Sequence, residues 1–166
     1  MEVSIVNIII LLASFFAMEA VAWLTHKYIM HGLLWSLHKD HHEGNQSGFE
    51  KNDFFFVLFA IPGASLLIAG ISDVFNFQFY IGAGITLYGF AYFLIHDIFI
   101  HQRFPFFRKT RNKYLLALRR AHKIHHKRQD KLHGSCFGML IVPKKYFTTS
   151  EQVNNLHSQT NNQYII

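Results

Sequence analysis

The chain has 166 residues, 51% of them apolar, 18 of them Phe and only 16% charged, a length that suits one domain and a composition too apolar and too aromatic for an ordinary soluble one. The net charge of +6 comes from Lys and Arg that all lie between Lys27 and Lys51 or from Arg103 onward, flanking the apolar runs, which argues for membrane topology and against nucleic-acid binding. The single cysteine, Cys136, rules out an internal disulfide framework and fits a reducing compartment.

The first apolar run covers residues 3–24, enough for a crossing, which takes about 20 residues. A cleaved signal peptide is the weaker reading, because Met1-Glu2-Val3 carries no basic residue and the run exceeds an ordinary signal core. Glu19 lies inside the run, seven residues before His26, so a helix places both on nearly the same side, about 10 Å apart along the axis. An acid there either supports a metal ligand from behind or makes a helix-packing hydrogen bond.

Residues 43–53 are polar and read as a loop. A second apolar run covers 54–71, with Pro62-Gly63 inside it, and a third covers 77–95. Pro62 is expected to kink its helix without ending it. Gly82, Gly84 and Gly89 in the third run permit close helix contact. Residues 103–131 are basic, and Leu115, Leu118, His122, His125 and His126 follow helical spacing. Arg119, Arg120, Lys123 and Lys127 fall mainly off that stripe, toward solvent or lipid headgroups. Residues 136–142 are apolar but too short to cross, so a re-entrant or interfacial segment is expected. The hydroxyl- and amide-rich stretch 148–166 reads as a disordered tail after a domain spanning 1–147.

Ten of the 12 histidines form four clusters that repeat in the two halves. The first half has His26-Lys-Tyr-Ile-Met-His31 and His38-Lys-Asp-His41-His42. The second has His96-Asp-Ile-Phe-Ile-His101 and His122-Lys-Ile-His125-His126. With three crossings, all the clusters and every Lys and Arg fall on one side, the inner side by the positive-inside rule. A fourth crossing is the alternative.

On an α-helix, HxxHH places three imidazoles within about 100° of arc, a natural face for a metal ion. HxxxxH is less favourable, since residues i and i+5 lie about 140° apart. A local π-bulge would align them, and such bulges are frequent at functional sites. Ten imidazoles suit two ions of four or five nitrogens each. Imidazole alone accepts iron, zinc, copper or nickel. Haem held by two histidines competes but leaves the paired HxxHH clusters unused, and no HExxH motif suggests a metalloprotease. Asp40, Asp97 and Glu19 are candidates to support the ligands from behind. His133 and His157 fit no cluster; His133 is a bystander candidate and His157 belongs to the tail.

The order HxxxxH, HxxHH, HxxxxH, HxxHH resembles the membrane fatty acid hydroxylase superfamily. The surrounding words, His31-Gly32-Leu-Leu-Trp35, Phe49-Glu50-Lys-Asn52-Asp53, His101-Gln-Arg103-Phe-Pro105 and Gly134-Ser-Cys136-Phe137-Gly138, are similar to those of the bacterial β-carotene hydroxylases. The resemblance covers roughly residues 15–145. It implies an all-α integral membrane bundle with a cytoplasmic histidine-rich helical cap holding a non-haem di-iron site. It implies ligand duty for His26, His31, His38, His41, His42, His96, His101, His122, His125 and His126. It further implies O2-dependent hydroxylation of β-ionone rings at C3, an apolar carotenoid substrate taken from the bilayer, surrounding membrane lipids and a ferredoxin-type electron donor. A bacterial inner-membrane location follows from the same resemblance. A fatty-acyl or sterol hydroxylase or desaturase would keep the boxes, and a membrane haem- or metal-binding protein without turnover is the non-enzymatic alternative.

Overall fold

The computed structural model describes residues 4–43, 49–104, 106–127, 131 and 135–147. The tail from 148 onward, with His157, and His133 lie outside the described residues. Every regular element among those described is helical.

Three helices are long and apolar enough to cross a membrane: Ile5–Leu33, Asp53–Ser72 and Phe77–Ile100. The first begins as α1 (Ile5–Leu24), whose N-terminus is closed by Ser4 accepting from the Asn7 amide. It continues as a π-helical segment, Thr25–Leu33, and after a break at Gly32–Leu34 gives α2 (Trp35–Glu43). α3 (Asp53–Ser72) carries Pro62 inside it without interruption. α4 (Phe77–Phe93) starts on an Asn76 cap and runs into a second π-helical segment, Leu94–Ile100. α5 (Lys113–His126) starts where the Asn112 side chain accepts from the Tyr114 and Leu115 amides, and a short turn, Lys144–Phe147, follows.

α4 is the central helix, packed on both α1 and α3. Two glycines explain the close fit. A methyl group on Gly84 would lie 2.5 Å from the Leu11 carbonyl oxygen of α1, and one on Gly82 would lie 2.6 Å from the Leu67 nitrogen of α3. Gly89, expected at a contact, has open space beside it. The outer faces keep large apolar side chains uncovered, among them Ile9, Phe16, Ile61, Ile68 and Phe90, as lipid-facing helices do.

Residues 135–143 are non-helical and run as a strap against the bundle. Met139 packs with Phe99 and Ile100, while Cys136 and Val142 pack against Ala117, Ala121 and Tyr146. The strap reaches α1 at Glu19, whose Oε1 accepts the amides of Met139, Leu140 and Ile141 at 2.8–3.0 Å. Its other oxygen accepts from the Tyr88 hydroxyl at 2.7 Å. Backbone donors at that depth have little water to turn to, and one carboxylate satisfies three of them. Of the two readings for Glu19, packing is therefore the one realised. Arg119 and Arg120 also depart from expectation. Arg119 donates to the Phe99 carbonyl at 2.9 Å and Arg120 to the Tyr146 carbonyl at 2.6 Å, so both fasten α5 to its neighbours.

Candidate metal centre

The π-helical segments coincide with the two HxxxxH clusters. A π-helix bonds residue i to i+5, which stacks the two histidines on one face. The His26 and His31 ring centroids lie 5.2 Å apart, and those of His96 and His101 4.5 Å apart. Each HxxHH behaves differently from the expectation of one face on one ion. In α2, His38 and His42 point one way and His41 the other; in α5, His125 and His122 divide likewise.

The result is two groups of converging nitrogens. His26, His31, His38, His42 and His125 form the first; His41, His96, His101 and His122 form the second, the nitrogens within each lying within 4.8 Å of one another. His126 belongs to neither group but stands between them. Its ring stacks on His42 at 4.5 Å and lies 4.5 Å from His122 and 4.8 Å from His101. Its Nε2 is buried without a hydrogen-bond partner among the described residues.

The proton positions follow from the partners. His26 Nδ1 lies 2.9 Å from the Phe137 carbonyl oxygen, and His125 Nδ1 2.9 Å from that of Ser135. His38 Nδ1 lies 2.7 Å from Asn52 Oδ1, His41 Nδ1 2.6 Å from Glu50 Oε2, and His96 Nδ1 3.2 Å from Asp97 Oδ2. All five partners are acceptors, so all five Nδ1 atoms carry hydrogen and donate, and each Nε2 of a neutral ring is left with a lone pair. Yet Nε2 of His26 faces Nε2 of His38 at 3.1 Å, and Nε2 of His41 faces that of His96 at 3.1 Å. Two lone pairs at that distance repel unless a cation lies between them or one ring is protonated.

Protonation is disfavoured. Burial pushes His38 down to about 2 and, reinforced by His96, His101 down to about 2 as well. His41 and His122 are driven well below the ordinary histidine value, burial first and neighbouring imidazoles second. A metal cation between the nitrogens would relieve the repulsion, and an ion holding imidazole nitrogens at about 2.1 Å suits the spacing within each group. The donor set therefore fits metal binding.

Of the three supporting acids expected, Asp97 touches a histidine. Asp40 instead accepts from the Lys51 amide at 2.7 Å, and Glu19 holds the strap. Glu50 and Asn52, each on an imidazole, were not among the candidates. Their signal was available: polar side chains immediately before an apolar helix, at the same end as the boxes. The Ser135 and Phe137 carbonyls leave no trace in side-chain identity.

The sequence model of the fatty acid hydroxylase family matches residues 11–149. The chain belongs to the fatty acid hydroxylase family. Among its members, proteins named beta-carotene hydroxylase are similar over most of the chain. That of Pantoea ananas is 42% identical over 82% of this chain and 78% of its own length. That of Pseudescherichia vulneris is 41% identical over 84% and 79%. A chloroplastic beta-carotene 3-hydroxylase of Arabidopsis thaliana is 36% identical over 77% of this chain and 43% of its own length. No solved structure matches the chain.

Proposed function

We propose that the protein is a membrane monooxygenase that hydroxylates the β-ionone rings of β-carotene at C3, giving β-cryptoxanthin and then zeaxanthin. It would use two non-haem iron ions, O2 and electrons from a ferredoxin-type donor. The observation that carries the reading is the pairing of lone-pair nitrogens in two groups beside one another at the ends of apolar helices. The names of the similar proteins support the substrate.

His26, His31, His38, His42 and His125 would hold one ion, and His41, His96, His101 and His122 the other, with His126 placed to join either. When bound, the irons supply activation of O2 to an oxidant that can take hydrogen from an unactivated ring carbon. One oxygen atom enters the C–H bond and the other leaves as water, with two electrons from the donor and two protons. The chain's own part is orientation and exclusion of water. Glu50, Asn52 and Asp97 fix ring tautomers, so that Nε2 faces inward. Phe137 stands 5.2–5.4 Å from the rings of His26, His31 and His125 and covers the first group. Haem has no place here, because a macrocycle supplies four nitrogens itself and would leave most of these imidazoles facing one another.

The positive-inside pattern supports a bacterial cytoplasmic membrane with the boxes on the cytoplasmic side. Arg108, Lys109, Arg111 and Lys113 are exposed, a surface suited to an acidic donor and to anionic lipid headgroups.

The test is expression in a host that accumulates β-carotene, followed by separation of the pigments. Mono- and dihydroxylated products, absent without O2, are expected. Unchanged β-carotene from inserted, iron-loaded protein supplied with reduced ferredoxin would move the assignment to a fatty-acyl or sterol substrate.

A further inference from the structure

We propose that Arg103 is a positioning residue for the second histidine group, acting through two carboxylates that each hold an imidazole of that group. The inference rests on the reading of the two groups as metal sites.

Arg103 follows the second HxxxxH by two residues, and its amide donates to the Asp97 carbonyl at 3.0 Å, which turns the chain back on the π-helical segment. Its guanidinium meets three carboxylates. Nη2 lies 2.9 Å from Glu50 Oε2, while Nη1 lies 3.2 Å from Asp97 Oδ1 and donates to Asp53 Oδ1 at 2.9 Å. Glu50 is the acceptor for His41 Nδ1, and Asp97 the acceptor for His96 Nδ1. One planar cation, hydrogen-bonded to Asp53 and ion-paired with Glu50 and Asp97, thus sits on the two anions that hold the two facing rings.

Arginine is the residue for this task, since its rigid fork presents several donors in one plane and stays charged. Asp53 completes the frame. Its other oxygen accepts the Glu50 amide at 3.0 Å, which holds the Glu50–Asp53 turn at the start of α3. The first group depends on different supports: Asn52 on His38, and the strap carbonyls on His26 and His125. Arg103 touches none of these directly and reaches the turn that carries Asn52 only through Asp53. Its influence therefore falls mainly on the second group, whereas a general structural role would weaken both alike.

The test uses the full-length protein in detergent with Co(II) as the probe, in two backgrounds. His38→Ala with His42→Ala leaves only the second group complete; His101→Ala with His122→Ala leaves only the first. Adding Arg103→Gln is expected to weaken Co(II) binding about 10–100-fold in the former background, the usual cost of losing such a support, and to weaken it far less in the latter. Retained binding in the latter also shows that the variant folds. Arg103→Lys keeps the charge without the fork and is expected to give the same selectivity with a smaller loss. Equal weakening of both groups by both variants, or of neither, overturns the proposal while leaving the metal-site reading in place. Absence of Co(II) uptake by the protein before Arg103 is changed overturns that reading, and this proposal with it.

Discussion

At the scale of single residues, His125 has the most to lose. It is fully buried, its Nδ1 is tied to a backbone carbonyl, and its Nε2 faces that of His31 at 3.1 Å. His125→Ala is expected to abolish hydroxylation while leaving membrane insertion intact; turnover in the variant would show that it is no essential ligand. Glu19 sits outside both groups but is as deeply placed. Removing its carboxylate leaves three strap amides and the Tyr88 hydroxyl without an acceptor, so Glu19→Ala should cost about 3 kcal/mol or more. Thermal unfolding in detergent would show it, and Glu19→Gln should recover part because its amide oxygen still accepts. The clustered histidines were legible as a set because imidazole is a property of the side chain, and nine of the ten converge in the two groups. Glu50 and Asn52 were harder to assign, since the Nδ1 atoms they serve belong to α2, 9 and 14 positions earlier in the sequence. Ser135 and Phe137 act through carbonyls that every residue possesses.

Among the elements, the π-helical segments were foreseeable from spacing alone. Five-residue separation conflicts with a straight α-helix, and the conflict is resolved locally in both halves of the chain. The division of each HxxHH between two groups was not foreseeable, because it depends on how α2 and α5 approach one another. Helix contacts were legible in part. Gly82 and Gly84 lie at crossings, whereas Gly89 does not, and composition cannot say which turn of a helix meets its neighbour. Gly84→Ala is expected to destabilise the α1–α4 contact by about 1–3 kcal/mol, the range for an overpacked site. Gly89→Ala, with open space beside it, should be neutral or mildly stabilising. Parallel thermal melts of the two variants check the contrast. Arg119 and Arg120 show the converse limit: a cation on a membrane protein's basic face looks free until the carbonyls it pins are known.

For the molecule as a whole, a concentration of neutral imidazoles makes stability depend on acidity. In the unfolded chain each histidine titrates near 6.5, whereas burial holds His38 and His101 at about 2 in the folded protein. Between those values the unfolded state binds protons that the folded state refuses, so folding is favoured above about pH 6.5 and progressively weakened below it. The metal-free protein should therefore melt at a lower temperature at pH 5 than at pH 8. An unchanged or higher melting temperature at pH 5 would mean that the cluster accommodates protons without opening. Three apolar helices with uncovered outer faces and a polar, histidine-filled end give the molecule its division of labour, and that plan was readable from hydropathy and charge. How the last stretch of chain folds back against the first helix was not, because Glu19 and the strap amides are joined across 120 residues or more of sequence.

The first histidine group also has a history in time. His31 and His125, whose nitrogens face each other, are separated by 94 positions. At a synthesis rate of about 5–20 residues per second, the ribosome needs on the order of ten seconds to pass from one to the other. For that interval His31 has no His125 to face, and His26 waits for the Phe137 carbonyl that accepts from it. The first group is complete only after α5 has delivered His125, so on the proposed reading metal acquisition would be a maturation step that follows insertion. On that reading, a nascent chain stalled before residue 125 should be inserted yet hold metal less tightly than the finished protein.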